Sequence, residues 1–497
     1  MRRDLKRGRS SGGGVVDIWD REVGNLAPRS FAHVFGASEG LIRRIAISKR
    51  LDRHGGCVNT VSFNTNGDIL MSGSDDRMIM LWHWESGSVK LSFHSGHSNN
   101  VFQAKFMPYT EDHTIVSCAA DGEVRHTQIL GGGQVVTTLL GQHEGRAHRL
   151  AIEPGSPHIF YSCGEDGLVQ HFDLRTKSAT KLLVCKSLQD KLDYTLIVHL
   201  NAIAIDPWNP NLFAIAGSDE FARIYDIRKT KWDGSRDCYP TDCFCPPHLI
   251  GGDHVGITGL AFSEQSELLA SYNDELIYLF SKYEGLGSNP TGRSKEYGVC
   301  NDSGGGPRSA SSSTADSKAI PGPQVYKGHR NCDTVKGVSF FGPRCEYVVS
   351  GSDCGRVFIW RKRGGELLRV MEGDKDVVNC IEPHPFDPLF ASSGIENDIK
   401  IWTPSALESA PPVNMEEIKQ RKRRNRFCRL TLPADLISQI LALRHSSGSG
   451  EAGDSLVVNG DLLDLLMRVR GGYDSGEEGG GGGGGDQMEN PGDCSVS

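Results

Sequence analysis

One ten-residue stretch, Gly73 to Trp82 (GSDDRMIMLW), returns in altered form through most of the chain, and no other feature constrains the fold as strongly. In it an acidic residue stands six positions before an aromatic, with an alternating apolar run between them. The same frame gives Asp76/Trp82, Asp166/Phe172, Asp219/Tyr225 and Asp274/Phe280. Asp121/Thr127, Glu396/Trp402 and Cys354/Trp360 keep it in part, the last with Asp353 beside it. Counted at the aromatic position, the copies fall at 82, 127, 172, 225, 280, 360 and 402, at intervals of 45, 45, 53, 55, 80 and 42. Blades of a β-propeller recur every ~40–45 residues. The longest interval contains residues 283–323, a Gly/Ser/Pro insert that cannot pack into a blade; the polar, cysteine-bearing stretch 229–250 is a second excess.

Within each copy the order is constant. A His or acid near a glycine comes first (His97, His143, His254, His329, Asp374), then an apolar strand such as VNTVSF, a turn, a second strand such as ILMSGS, the acidic turn and the aromatic strand. Runs of this length and pattern are strands. A four-stranded sheet buries neither face alone, so the sheets must stack around an axis and close a ring. Seven copies predict an all-β, seven-bladed propeller over residues 54–403. A chain of 497 residues exceeds one ordinary domain, but a repeat fold absorbs that length in one body.

The flanks read differently. Residues 1–27 are basic and expected to be disordered. Residues 28–53 are expected to hold a short helix, Phe31 to Phe35 after Pro28, and a strand, Ile42 to Leu51 (IRRIAISKRL), with one wet face. Residues 404–470 carry the basic run KQRKRRNR (Lys419 to Arg426) and two segments with helical apolar spacing, DLISQILALRH and DLLDLLMRVR. Residues 471–497 are a Gly-rich acidic tail. The basic run reads as a nuclear import signal or as a solvated flank.

The formal charge of −8 argues against a nucleic-acid partner, which needs a basic face. No apolar run reaches the ~18–20 residues of a membrane span, and MRRDLKRGRS lacks the apolar core of a signal peptide. The fourteen cysteines include no CxxC pair and read as reduced thiols. A protein of nucleus and cytoplasm is expected. Cys238, Cys243, Cys245 and His248 lie close together, but their spacing matches no familiar closed zinc site, so no metal is assigned. The recurring His and Asp occur once per copy and read as bracing. No phosphate-cradling Gly loop, GxSxG elbow or HExxH is present, so neither catalysis, a cofactor nor a small-molecule substrate is expected.

The sharpest local signal follows the aromatic in the third and fourth copies: Phe172-Asp173-Leu174-Arg175 and Tyr225-Asp226-Ile227-Arg228. The other copies place different residues there. A third strand that starts at the acidic turn on one rim ends at the other, so the two D-x-R ends should emerge side by side on the rim opposite the acidic turns. Arginine offers a planar fork of donors for a partner's carboxylates or carbonyls; the plainer alternative is a salt bridge to its own Asp neighbour. Around the acidic turns, Asp75, Glu165, Asn273 and Asp353, with Arg146, His148 and Arg149, would line the second rim.

The repeat resembles the WD-repeat family over about residues 54–403. In that family a His, a second-strand Ser, the turn Asp and the third-strand Trp form a hydrogen-bonded brace, which the resemblance implies for His54, Ser72, Asp76 and Trp82; His54 stands in RHGG where the family has GH. The family closes its ring with a strand from the other terminus, for which Ile42 to Leu51 is the candidate. Consecutive aromatic-D-x-R blades further resemble the substrate receptors of cullin-four RING ubiquitin ligases, with Phe172 and Tyr225 in place of the motif's Trp. The resemblance implies that Asp173, Arg175, Asp226 and Arg228 dock on the ligase adaptor, a large three-propeller protein. It also implies that a helix within Pro28 to Leu41 enters that adaptor and that the acidic-turn rim takes a protein substrate. The stretches CVNTVSFNTNGDILMSGSDDRMIMLW, FHSGHSNNVFQAKFMP and CAADGEVRH are similar to the eighth numbered member of that receptor family, in a plant-like form. The rival reading is a WD-repeat interaction scaffold unconnected to ubiquitin.

Overall fold

Each alternating run becomes a short antiparallel strand, and the strands assemble in fours. In the computed structural model, residues 14–188, 197–229, 239–252, 255–288, 290 and 322–414 are described. Seven four-stranded sheets follow one another: Val58–His94, Val101–Gln142, Ala147–Val184, Leu200–Phe244, Ile257–Tyr326 and Val338–Glu372 hold blades 1 to 6. Blade 7 takes three strands from Val378–Thr403 and its outer strand from Ala46–Leu51. The protein is a seven-bladed β-propeller. The zinc candidate Cys238, His254, most of the 283–323 insert, the run Lys419 to Arg426 and the two expected C-terminal helices lie outside the described residues.

Second strands such as Ile69–Ser74 and Ile159–Gly164 are buried almost end to end, because a neighbouring blade covers each of their faces. The apolar side chains therefore form cores between blades. One joins Tyr161, Val169 and Leu182 of blade 3 to Phe213, Ile215 and Tyr225 of blade 4. The innermost strands ring a central channel with a cavity of about 360 Å³. In six blades the inner strand carries a β-bulge near its start, at Asn59, Phe102, His148, Asn201, Thr258 and Asn379. Bulges re-aim side chains at barrel rims, and here those at Asn59 and His148 set side chains against the acidic turns, on Asp75 and Glu165.

Ring closure depends on Ala46–Leu51, which runs antiparallel to Ile399–Thr403 with Ile47 opposite Trp402 and Leu51 opposite Ile399. Ser48 Oγ donates to the Ile401 carbonyl at 3.1 Å, and Arg50 meets Asp398 at 2.8 Å. The strand is shorter than the pattern IRRIAISKRL suggests. Ile42 instead ends a helical turn, α3 (Glu39–Ile42), after α1 (Gly14–Glu22) and α2 (Pro28–Gly36). An Arg43–Glu39 pair at 2.8 Å holds that turn, and Ile42 and Ile45 sink into the core with Phe341 and Trp402. The N-terminal stretch expected to be disordered contains α1, in which Val16 and Trp19 stand at helical spacing.

Leu51 is 2% exposed and packs with Val58, Trp82 and Ile399 across the blade 7–blade 1 seam. Leu51→Ala should lower stability by about 2–4 kcal/mol in chemical denaturation. An unchanged midpoint would show that the closing strand lies outside the cooperative unit.

Candidate functional site

The two rims are built on different principles. On the acidic-turn rim, polar groups satisfy one another. His54 contacts Asp76 through Nδ1 at 2.8 Å and Ser72 Oγ through Nε2 at 2.7 Å, while Trp82 Nε1 donates to the same Oγ at 2.8 Å. Asp76 also accepts the Gly55 and Met78 amides, so the four residues form one connected network. His97, Ser117 and Asp121 repeat it in blade 2, and His143, Ser162 and Asp166 in blade 3. Burial works to raise the Asp121 carboxyl, but hydrogen bonds from His97 and from the Glu123 and Ser98 amides outweigh it and hold it at about 2. Blade 3 has Phe172 where blade 1 has Trp82. It loses the indole donor but stacks on Phe160 at 4.6 Å.

Three blades answer the acid of the turn with a buried cation that the repeat pattern did not reveal, blade 6 keeping His329 edge-on to Trp360 at 5.8 Å. In blade 4 the fully buried Arg223 forks onto Asp219. In blade 6 the buried Lys336 pairs with Asp353 and reaches Thr334 Oγ1 at 2.8 Å. In blade 7 the Lys400 ammonium sits among Asp374, Glu396 and Asp398. The available signal was a lone cation inside an apolar strand, as in FARIYD, VKGVSF and NDIKIW. Among the described residues, the donor groups that converge within 4.8 Å are His97/Asp121/Glu123, Cys332/Asp333/Asp353 and Asp374/Glu396/Asp398. The last two already hold a lysine. Cys243, Cys245 and His248 do not converge. Cys243 and Cys245 are buried in the blade 4–5 core, where burial pushes the Cys243 thiol up to about 12, while His248 meets the Tyr278 hydroxyl.

The candidates for a substrate rim separate accordingly. Asp353 is corrected: its carboxylate is fully buried against Lys336 and faces no partner. Asp75 accepts the Asn59 amide at 2.7 Å, and Asn273 lies in the turn before Asp274, held to the Gly256 carbonyl at 2.7 Å. Only blade 3 gathers several of them: Glu165 meets His148 at 3.1 Å and the Arg146 amide at 3.3 Å. The His148 ring stacks on Phe102 at 5.2 Å. Arg149 lines the channel, its guanidinium 3.7 Å from where a Cβ on Gly337, in the channel wall beyond, would lie.

The opposite rim carries the D-x-R ends, and the two blades build them alike. Asp173 accepts the Arg175 amide at 2.9 Å, as Asp226 accepts the Arg228 amide at 3.0 Å. The middle residue is tied to the neighbouring turn, Leu174 N to the His158 carbonyl and Ile227 N to that of Asn211. Each guanidinium then uses Nε and one terminal nitrogen on its own aspartate. The Arg175 hydrogen bond holds the Asp173 carboxyl down at about 2. The arginines remain 62% and 63% exposed, so the salt bridge fixes each fork and leaves its other terminal nitrogen without a partner among the described residues. The N-terminal helices reach this same rim at blade 6. Tyr347 donates its hydroxyl to the Ala37 carbonyl at 2.7 Å, Arg361 pairs with Glu39, and Gly36 lies against Pro343. Trp19 and Phe35 stay exposed on α1 and α2.

Asp374 yields a pH test. Burial, reinforced by Glu396 and Asp398, raises its carboxyl from an ordinary 3.8 to about 6 despite Lys400, and its second oxygen has no hydrogen-bond partner among the described residues. The folded chain therefore binds this proton more tightly than the unfolded chain. The resulting stabilisation is complete below about pH 4 and is lost as pH rises through about 6. Asp374→Asn should remove this loss, so that its stability relative to the parent rises between pH 5 and pH 7.5 in denaturation midpoints. Parallel pH responses of the two proteins would refute the assignment.

Comparison with known proteins adds to this geometry. The WD40 family (WD domain, G-beta repeat) matches residues 46–83, 323–361 and 365–403. The chain is 35% identical to Protein ALTERED SEED GERMINATION 2 of Arabidopsis thaliana over 50% of its own length and 37% of that protein's. It is 30% identical to human DDB1- and CUL4-associated factor 6 over 73% of this chain and 44% of the relative. It is 23% identical to human WD and tetratricopeptide repeats protein 1 over 78% and 89%. The chain thus spans less than half the length of the first two. The first match begins at Ala46 and so includes the closing strand. Fold, brace and comparisons agree that this chain is a propeller of WD repeats.

Proposed function

We propose that this chain is a substrate-recognition subunit of a cullin-four RING ubiquitin ligase that docks on the ligase adaptor through Asp173, Arg175, Asp226 and Arg228. One observation carries the reading: two consecutive blades present the same rigid D-x-R fork on one rim, built from matching hydrogen bonds. A general scaffold has no need of that duplication. Further support comes from a relative that is named for its association with DDB1 and CUL4, and from α2, which carries the exposed Phe35 and is anchored to the same rim at its C-terminal end. DDB1 is the adaptor in this reading, and the acidic-turn rim is left for a protein substrate, with Glu165, Arg146 and His148 as its best-assembled group. The subunit supplies proximity and no catalytic group: it raises the local concentration of a target lysine near the charged ubiquitin-conjugating enzyme. The run Lys419 to Arg426 suits import, with the subunit working in nucleus and cytoplasm.

The test is adaptor binding by purified full-length protein and by Arg175→Ala/Arg228→Ala, each checked for unchanged melting. The parent should bind DDB1, and the double variant should bind about tenfold or more weakly. A parent that fails to bind would leave a WD-repeat scaffold. Undiminished binding by the variant would move the contact to α1 and α2.

A further inference from the structure

Exposed aromatic side chains are distributed unevenly over the propeller. Among its described residues, Tyr109, Trp208, Tyr239, Tyr283 and Phe386 are 69–88% exposed. Tyr109, Trp208 and Phe386 occupy turns between first and second strands, and Tyr239 and Tyr283 occupy connections between third and outer strands. Both kinds of connection lie on the D-x-R rim. No described aromatic of comparable exposure lies on the acidic-turn rim. Scattered apolar residues need no explanation, but aromatic side chains gathered on one face mark protein interfaces, where they are enriched as anchors.

Two of the five belong to the D-x-R sector. The Trp208 turn is bound to the blade 4 fork through the Ile227–Asn211 hydrogen bond at 2.8 Å and the Leu212–Asp226 pairing. Its conformation is fixed from beneath: the buried Asp206 accepts the Trp208 amide at 2.9 Å and the Ser266 hydroxyl of blade 5 at 2.9 Å. Tyr239 leads into the outer strand of the same blade, with Thr241 bonded to the Ile224 carbonyl at 2.7 Å. An anchor held rigid before binding loses little entropy on docking. Among the described residues around them, Arg175, Lys177, Arg228 and Lys229 are exposed, while Asp173 and Asp226 are engaged by their own arginines and Asp242 by the Cys243 and Gly287 amides.

We propose that Trp208 and Tyr239 are the apolar anchors of the docking face whose charged grip is Arg175 and Arg228. The partner then presents an acidic surface with an apolar recess that receives both rings. This inference rests on the adaptor-docking reading and adds residues that neither the D-x-R motif nor the comparisons single out. Lys177 and Lys229 belong to the same face and steer the acidic partner toward it.

The experiment measures DDB1 binding by full-length Trp208→Ala, Tyr239→Ala, Lys177→Glu/Lys229→Glu and Arg175→Ala/Arg228→Ala, together with the mass of each free protein by light scattering. Both rings are solvent-facing, so melting temperatures should stay at the parent value. Each aromatic variant should weaken binding by about tenfold or more, through faster dissociation, and the lysine variant should lower the association rate and its salt dependence. If the arginine variant fails to bind while both aromatic variants stay within about twofold of the parent, the anchors are wrong and the docking reading stands. If the parent does not bind DDB1, both fall. If the parent self-associates and the aromatic variants abolish that association without weakening DDB1 binding, the rings belong to a contact between copies and the proposal is overturned.

Discussion

A carboxylate at the turn between second and third strands is the constraint on which the blades depend. It is drawn inward to start the third strand, and a charge withdrawn from water must be matched by donors close by. Blades 1 to 3 meet this with a histidine from the preceding loop and two backbone amides. Blades 4, 6 and 7 meet it with Arg223, Lys336 and Lys400. The chemistry differs, yet each solution fixes the turn and hence the register of the strand that leaves it. The opposite rim inherits that order. Asp173 and Asp226 stand in equivalent places because Asp166 and Asp219 are each held at the other end of their strands.

The number of blades and their strand order could be read from the chain because the acid–aromatic frame recurs, with its aromatic position buried in every blade. The brace His54–Ser72–Asp76–Trp82, whose four residues the hydrogen bonds join, was legible through the resemblance to WD repeats, which implies it. Its replacements were not. A lysine in VKGVSF or NDIKIW looks like a solvated residue on a strand with a wet face, and only the packed sheet shows that no face is wet there. Asp353 was misplaced on the open rim for this reason, since its partner Lys336 comes from a strand whose burial the local pattern does not disclose. Helix α1 was missed because a basic, glycine-rich flank hides a short amphipathic segment.

The D-x-R ends present an apparent choice between an internal salt bridge and an external contact. The geometry makes the two compatible. A guanidinium has five N–H donors, and a carboxylate that takes two of them leaves the rest in a fixed plane. An unpaired arginine at the same position would be a flexible side chain that has to be ordered on contact. The internal bridge therefore acts as a splint, which favours a specific docking role and sits poorly with an idle surface charge.

The asymmetry between the rims supports the same division of labour. On the acidic-turn rim the carboxylates are answered from within by histidines, amides and buried cations, which gives rigidity and leaves few donors idle. The opposite rim holds its arginines half-used and its aromatic rings uncovered, while its backbone is tied down by hydrogen bonds such as Ile227–Asn211. A surface kept rigid while its strongest recognition groups remain unsatisfied has paid its ordering entropy before any partner arrives. That arrangement is what the proposed docking role asks of this rim, and it links the acid fixed at one end of a third strand to the arginine fork at the other.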